Sequence, residues 1–174
     1  MRRPARIVSA LVLCAVAGTV LSAEPAQGAA SLAARLQQME DHMAIERVLM
    51  EYGRALDSRD FAAYSQLFAA EGEWSGSLGT FRGPAAIKAA MEKAFKDSPA
   101  AAIPTNFHLL TNAIIDVQGD RATAWSKWTF MRMVDGKPVV ALAGQYQDTL
   151  VREGGQWKFL RRTAQTPGAA EPSK

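Results

Sequence analysis

Four side chains in this sequence could move a proton together: His108, Asp57, Tyr52 and one of two neighbouring arginines, Arg161 and Arg162. Histidine is the side chain whose ordinary pKa lies nearest neutrality, and with a carboxylate fixing its tautomer it serves as a general base. A phenol or a guanidinium then offers donors to an oxygen that gains negative charge. His108 stands in Phe107-His108-Leu109-Leu110, an apolar extended segment whose alternation puts Leu110, Asn112 and Ile114 on its face. The structural alternative is a core or subunit-interface histidine bonded to a backbone carbonyl.

Asp57 is the carboxylate best placed to orient it. A negative side chain at the C-terminal end of a helix is disfavoured by the helix dipole by about 0.3–1 kcal/mol, so its presence there asks for a reason. One reason is service to a base; the other is capping of the next helix, with Asp57 or Ser58 as cap and Asp60 in its first turn. Tyr52 shares a stripe with Ile45, Leu49 and Leu56, so its ring faces the core and its hydroxyl needs a partner there. Tyr52 and Asp57 can point into one cavity only if the helix ends near Asp57. Arg161 and Arg162 fall on opposite faces of the last strand, and alternation does not say which points inward.

Other chemistries find no support. Two distant histidines and a single cysteine give no zinc-ligand spacing, and no metal is expected. Gly76, Gly79 and Gly83 fall in strand and turn rather than between a strand and a helix, so no phosphate loop is implied. No serine sits in a nucleophile elbow.

The positioning elements follow from periodicity. Ser31 to Leu56 reads as a long helix with two apolar stripes. One is Ile45-Leu49-Tyr52-Leu56; the other runs through Leu32, Leu36, Met39, Met43 and Met50. Residues 43 and 45 are about 200° apart on a helix, so the stripes cannot share one core, and the Met-rich face is expected to meet something else, such as a second subunit. Phe61, Tyr64, Leu67 and Phe68 mark a short second helix; a strand is expected around Glu73 to Leu78; Gly83-Pro84 opens a third helix to about Phe95. Asp97 to Pro104 reads as a loop. Thr105–Val117, Arg121–Val134, Pro138–Arg152 and Gln156–Thr166 are extended segments joined by Gly119-Asp120, Asp135-Gly136 and Gly154-Gly155, a four-stranded antiparallel meander. Helices first and long, curling strands last predict an α+β cone: a curved antiparallel sheet wrapped on N-terminal helices over an interior pocket.

At the N-terminus, Arg2, Arg3 and Arg6 precede an apolar run from Ile7 to Leu21 and then small residues, the layout of a secretory signal peptide over residues 1–23, with cleavage as late as 29 as the alternative. The run is shorter than the ~20 residues a spanning helix needs, so no membrane span is expected in the mature protein, which is placed in the periplasm or outside the cell. Removing residues 1–23 turns the formal charge of +3 into a balance of seventeen basic and seventeen acidic residues, which leaves no field to recruit nucleic acid. Cys14 goes with the leader, so disulfides and thiolate chemistry go too. Residues 31–166 form the domain, and residues 167–174 read as a disordered tail.

The stretches Tyr52-Gly53-Arg54-Ala55-Leu56-Asp57-Ser58-Arg59-Asp60, Glu73-Trp74, Phe81-Arg82-Gly83-Pro84, His108-Leu109-Leu110-Thr111-Asn112, Gly119-Asp120-Arg121-Ala122 and Gly155-Gln156-Trp157-Lys158-Phe159 resemble the SnoaL-like branch of the nuclear transport factor 2-like superfamily. Within it the layout is most similar to cofactor-independent lyases: scytalone dehydratase, bile acid 7α-dehydratase and hexachlorocyclohexane dehydrochlorinase. The resemblance implies His108 as base, Asp57 as its orienter, and Tyr52 with Arg162, rather than Arg161, assisting the leaving group. Trp74, Trp128, Phe130 and Met131 are candidate apolar wall and substrate contacts, the structural alternative at this spacing being plain core, and Asn112, on the His108 face of its strand, is a further candidate substrate contact. Tyrosine at 52, where the dehydrochlorinase has lysine, leans toward dehydration. The expected activity is removal of water from a small apolar cyclic hydroxy compound, steroid-like or polyketide-like, without a cofactor. Alternatives are an isomerase or cyclase of the same superfamily, and a binding module that holds an apolar ligand in the cell envelope. A homodimer through the outer sheet face is expected, with Met39, Met43 and Met50 as a further contact.

Overall fold

A computed structural model describes residues 25–97 and 106–167. The expected signal peptide, most of the expected loop 97–104 and the expected tail after residue 167 lie outside the described residues. The chain runs α1 (Pro25–Asp57), α2 (Phe61–Gln66), β1 (Phe68–Gly76), β2 (Gly79–Arg82), α3 (Pro84–Ala94), β3 (Asn106–Gln118), β4 (Arg121–Val134), β5 (Lys137–Glu153) and β6 (Gln156–Gln165). Mixed α and β elements, with α1 and α2 ahead of a curved, unclosed sheet and α3 inserted between β2 and β3, give the expected α+β class.

The sheet has six strands in the order β2-β1-β6-β5-β4-β3, not four. β1 joins β6 in parallel, setting Trp74 beside Arg162, and β2 folds back on β1 as a short edge strand. Phe68, read as helix from its apolar spacing, is the first residue of β1, and the expected strand at 73–78 begins five residues earlier. The three hairpins that join β3 to β6 turn where glycine permits the left-handed backbone; at Gly154-Gly155 both residues have positive φ, 60° and 78°. Bulges interrupt β3/β4 between Thr111 and Ile114, β4/β5 between Phe130 and Met131, and β5/β6 between Thr149 and Leu150. Each adds a residue to one strand and bends it, which curls the sheet toward the helices.

The core fills the concave side. Ile45, Leu49, Tyr52 and Leu56 of α1 are buried against Phe68, Leu150 and Phe159 of the sheet. A polar clamp holds the same helix down: Asp41 Oδ1 accepts from Arg152 Nη2 (2.7 Å), Trp157 Nε1 (3.1 Å) and Gln37 Nε2 (3.2 Å). Burial alone would raise the Asp41 carboxyl; these hydrogen bonds outweigh it and hold it below its usual range. The second stripe, Leu32, Leu36, Met39, Met43 and Met50, is exposed along its whole length.

The α1–α2 corner corrects one expectation. Asp60, not Asp57 or Ser58, caps α2, its side chain accepting from the Ala63 amide at 2.9 Å. α1 ends in a Schellman motif, with Arg59 N–H on Leu56 O (3.2 Å), Asp60 N–H on Ala55 O (2.9 Å) and Arg59 at φ 59°. A left-handed arginine is strained relative to glycine. Two contacts of its guanidinium compensate: a hydrogen bond to Leu56 O and a cation–π contact 4.3 Å from the Phe95 centroid. Capping therefore makes no use of Asp57.

Candidate active site

Asp57 sits in the last turn of α1, where the dipole opposes its charge, and both of its oxygens are engaged by a single residue. Oδ2 accepts the backbone N–H of His108 at 2.8 Å, and Oδ1 lies 2.6 Å from His108 Nδ1. A carboxylate can only accept, so an ionised Asp57 places the ring proton on Nδ1 and leaves the lone pair on Nε2. Nε2 has no hydrogen-bond partner among the described residues. Both side chains are largely sheltered, at 13% exposure for His108 and 18% for Asp57. The imidazole packs on Phe130 (centroids 4.8 Å apart) and Trp128 (6.3 Å).

His108 lines a pocket of about 180 Å³ together with Tyr52, Tyr64, Trp74, Trp128 and Tyr146, with Leu56, Met91, Phe95 and Leu142 among its apolar walls. All three tyrosines of the chain meet here. The Tyr52 oxygen receives the Tyr64 hydroxyl at 2.8 Å and the Trp74 indole N–H at 3.0 Å. An indole nitrogen can only donate. With two donors on its oxygen, Tyr52 has its own proton to give, to Tyr146 beside it or to an oxygen in the pocket. Burial, followed by the charge and hydrogen bond of Tyr52, pushes the Tyr64 hydroxyl well above its usual pKa. Burial, then Tyr52, does the same to Tyr146, against the opposing charge of Arg162. Both stay protonated donors at neutral pH.

Arg162 points inward and Arg161 outward, toward Glu73. Arg162 is fully buried and does not line the pocket. Its Nε and Nη2 form a bidentate pair with Asp148 (2.8 and 2.7 Å), and its guanidinium lies over the rings of Tyr52, Tyr146 and Phe159 at 3.9–4.1 Å. It acts behind Tyr52, as a cation that fixes the ring whose hydroxyl faces the pocket. Burial alone would lower its proton affinity; the Asp148 carboxylate reverses that and holds it above the ordinary value.

Asn112 is not brought to this pocket. It is exposed, with φ 55°, inside the β3 bulge that breaks the alternation expected from His108 onward. Ile114 is 68% exposed for the same reason. Trp74 and Trp128 line the pocket, and Phe130 supports His108 from behind. Three participants were not singled out from sequence: Tyr64, read as helix core; Tyr146; and Asp148. The signal for the last two is in the pattern, since Tyr146 and Asp148 alternate onto one face of β5 with apolar Leu150.

Among the described residues no group of three or more His, Cys, Asp or Glu could hold a metal. No helix in them is long and apolar enough to cross a membrane.

The sequence matches the SnoaL-like domain family over residues 37–163. The chain belongs to that family, within the nuclear transport factor 2-like superfamily. No curated protein matches it significantly. Among solved structures it is similar to a nuclear transport factor 2-like protein with a cystatin-like fold from Novosphingobium aromaticivorans, at 29% identity and TM-score 0.69, over 80% of this chain and 90% of that one. It is also similar to a protein of the same organism that carries the provisional name scytalone dehydratase (27%, TM-score 0.61, 77% and 97% covered). A hexachlorocyclohexane dehydrochlorinase from Novosphingobium barchaimii shares the fold at 17% identity and TM-score 0.64, over 76% of this chain and 90% of that one.

Proposed function

We propose that this SnoaL-like protein is a cofactor-independent lyase that removes water from a small cyclic β-hydroxy carbonyl compound, working in the periplasm or outside the cell. The observation that carries the proposal is the double engagement of His108 by Asp57, at 2.6 and 2.8 Å, which leaves Nε2 as the basic atom of a residue lining the pocket. A neutral imidazole is a weak base, so the carbon acid must be activated by an adjacent carbonyl. His108 Nε2 takes the α proton, and the C–H electron pair becomes the enolate and then the C=C bond as the C–O bond breaks. The hydroxyl leaves as water, taking the proton back from Nε2. Asp57 stabilises the transient imidazolium, and Tyr52 donates to the oxygen that carries negative charge, held by Tyr64, Trp74 and Arg162.

Pocket size supports one ring inside. An apolar cavity of about 150 Å³ takes up benzene, and this pocket measures about 180 Å³. A steroid-sized compound would extend beyond it.

Screening cyclic β-hydroxy ketones for the absorbance of the conjugated enone tests the reading. His108→Ala and Asp57→Asn are each expected to lose about 10²–10⁴-fold in kcat; full turnover by both variants on a substrate of the wild type would sink it. The seclusion of Arg162 favours a second reading, a binding module. Tight binding of such compounds, with the ligand recovered unchanged, would select it.

A further inference from the structure

α1 is about 50 Å long at 1.5 Å per residue, yet from Ser31 on the first of its residues to be buried is Asp41. The ten residues Ser31–Glu40 are all exposed. A helical segment standing off its domain in this way gains little from its own fold, and most helical stability comes from packing an apolar face. Such a face exists on the side of α1 away from the core: Leu32, Leu36, Met39, Met43 and Met50, each 54–66% exposed. Their spacings of four, three, four and seven are those of a heptad seam. One polar residue, Glu46, completes the series.

We propose that this seam packs against the α1 of a second copy, antiparallel, about a two-fold axis near residue 41. Charge selects the direction. In a parallel pair Glu46 would face Glu46 of the second copy inside the seam, and like charges there are destabilising. In the antiparallel pair with Met39 opposite Met43 of the second copy, Leu32 meets Met50 and Glu46 meets Leu36. Exposed Glu40 then flanks the seam beside Arg47 of the second copy, twice by symmetry. Neither Glu40 nor Arg47 has an ion-pair partner among the described residues. This register also lays residue 25 against residue 57 of the second copy, so the two helices overlap along their whole length. The projecting half of each helix covers the Met50 region of the other, which accounts for an apolar stripe that its own domain never uses.

Light scattering of the purified protein at micromolar concentration is expected to give a dimer. Met43→Glu is expected to weaken it at least about tenfold in Kd with unchanged circular dichroism. Glu40→Arg alone should weaken it, and Glu40→Arg with Arg47→Glu should restore it. Residues 25–174 contain no cysteine, so in a protein starting at residue 25 oxidative cross-linking reads the direction: Met39→Cys and Met43→Cys chains should cross-link with each other when mixed. A monomeric wild type, a dimer indifferent to Met43→Glu, or efficient self-linking of Met39→Cys alone would each overturn the proposal. So would a monomer that binds phosphatidylglycerol vesicles through this stripe, which would assign the face to a membrane.

Discussion

Asp57 holds His108 at two points, the backbone amide through Oδ2 at 2.8 Å and the ring through Oδ1 at 2.6 Å, and so ties the end of α1 to the edge strand β3. The carboxylate fixes the tautomer and the rotamer of the imidazole together. The Schellman motif at Arg59 and the cap at Asp60 complete the corner without drawing on that carboxylate.

Asp57→Asn keeps the shape but offers one acceptor oxygen to two donors, so either the His108 amide or its Nδ1–H loses its partner. The expected cost is about 1–3 kcal/mol in urea unfolding. Nitrogen chemical shifts of His108, separated from the only other histidine by His42→Gln, should report the Nδ1–H tautomer in the wild type and a mixture in the variant. An unchanged tautomer would mean that Asp57 does not set it.

The tyrosine cluster makes stability sensitive to alkali. Tyr64 and Tyr146 have folded pKa values raised well above the ordinary 10.0, because burial and Tyr52 disfavour their phenolates. A raised folded pKa gives stability that is fully present below the unfolded value and is lost as pH rises through it toward the folded value. Tm is therefore expected to hold up to about pH 10 and fall beyond it. Tyrosinate absorbance of these two residues should appear with unfolding rather than before it.

The Arg162–Asp148 pair is fully buried on both sides. Arg162→Ala leaves Asp148 without its partner and is expected to cost about 3–5 kcal/mol, whereas Arg162→Met with Asp148→Leu should recover most of that loss. Denaturant unfolding of the three variants checks this, and a double variant no better than the single would show that Arg162 acts through its rings rather than through Asp148. Arg162→Lys is not conservative here, since an ammonium cannot reproduce the bidentate pair over three aromatic rings.

The elements that depend on neighbours in the chain could be read from it. Asp135-Gly136 and Gly154-Gly155 mark their hairpins, and β4 spans the residues expected, Arg121–Val134. What could not be read is non-local or cooperative. The parallel pairing of Trp74 with Arg162 joins strands 88 residues apart, and no local pattern encodes it. The bulge at Asn112 moves that residue off the pocket face, and periodicity assumes that no such residue is inserted. Asp57, Ser58 and Asp60 are all good caps, and the choice among them follows from the left-handed turn at Arg59, a conformation rarely expected of arginine. The inward choice of Arg162 rests on Asp148 across the strand pair, which alternation within β6 alone does not show.

Gly144 sets the position of Trp128, one of the pocket's two tryptophans. A Cβ there would stand 2.6 Å from Cε2 and Cζ2 of Trp128 and would also meet the Gln165 carbonyl, so the indole lies flat on β5 only because residue 144 has no side chain. Trp128 in turn stacks on Tyr146 (5.8 Å, 27°) and borders His108. Gly144→Ala must push the indole into the pocket or the strands apart, an overpacking cost of about 1–3 kcal/mol. Trp128→Phe in the same chain trims the clashing ring and is expected to return part of that stability. Quenching of Trp128 fluorescence by acrylamide should rise in Gly144→Ala as the ring leaves its seat; unchanged quenching with unchanged Tm would show that the strand gives way freely and that Gly144 does not position the indole.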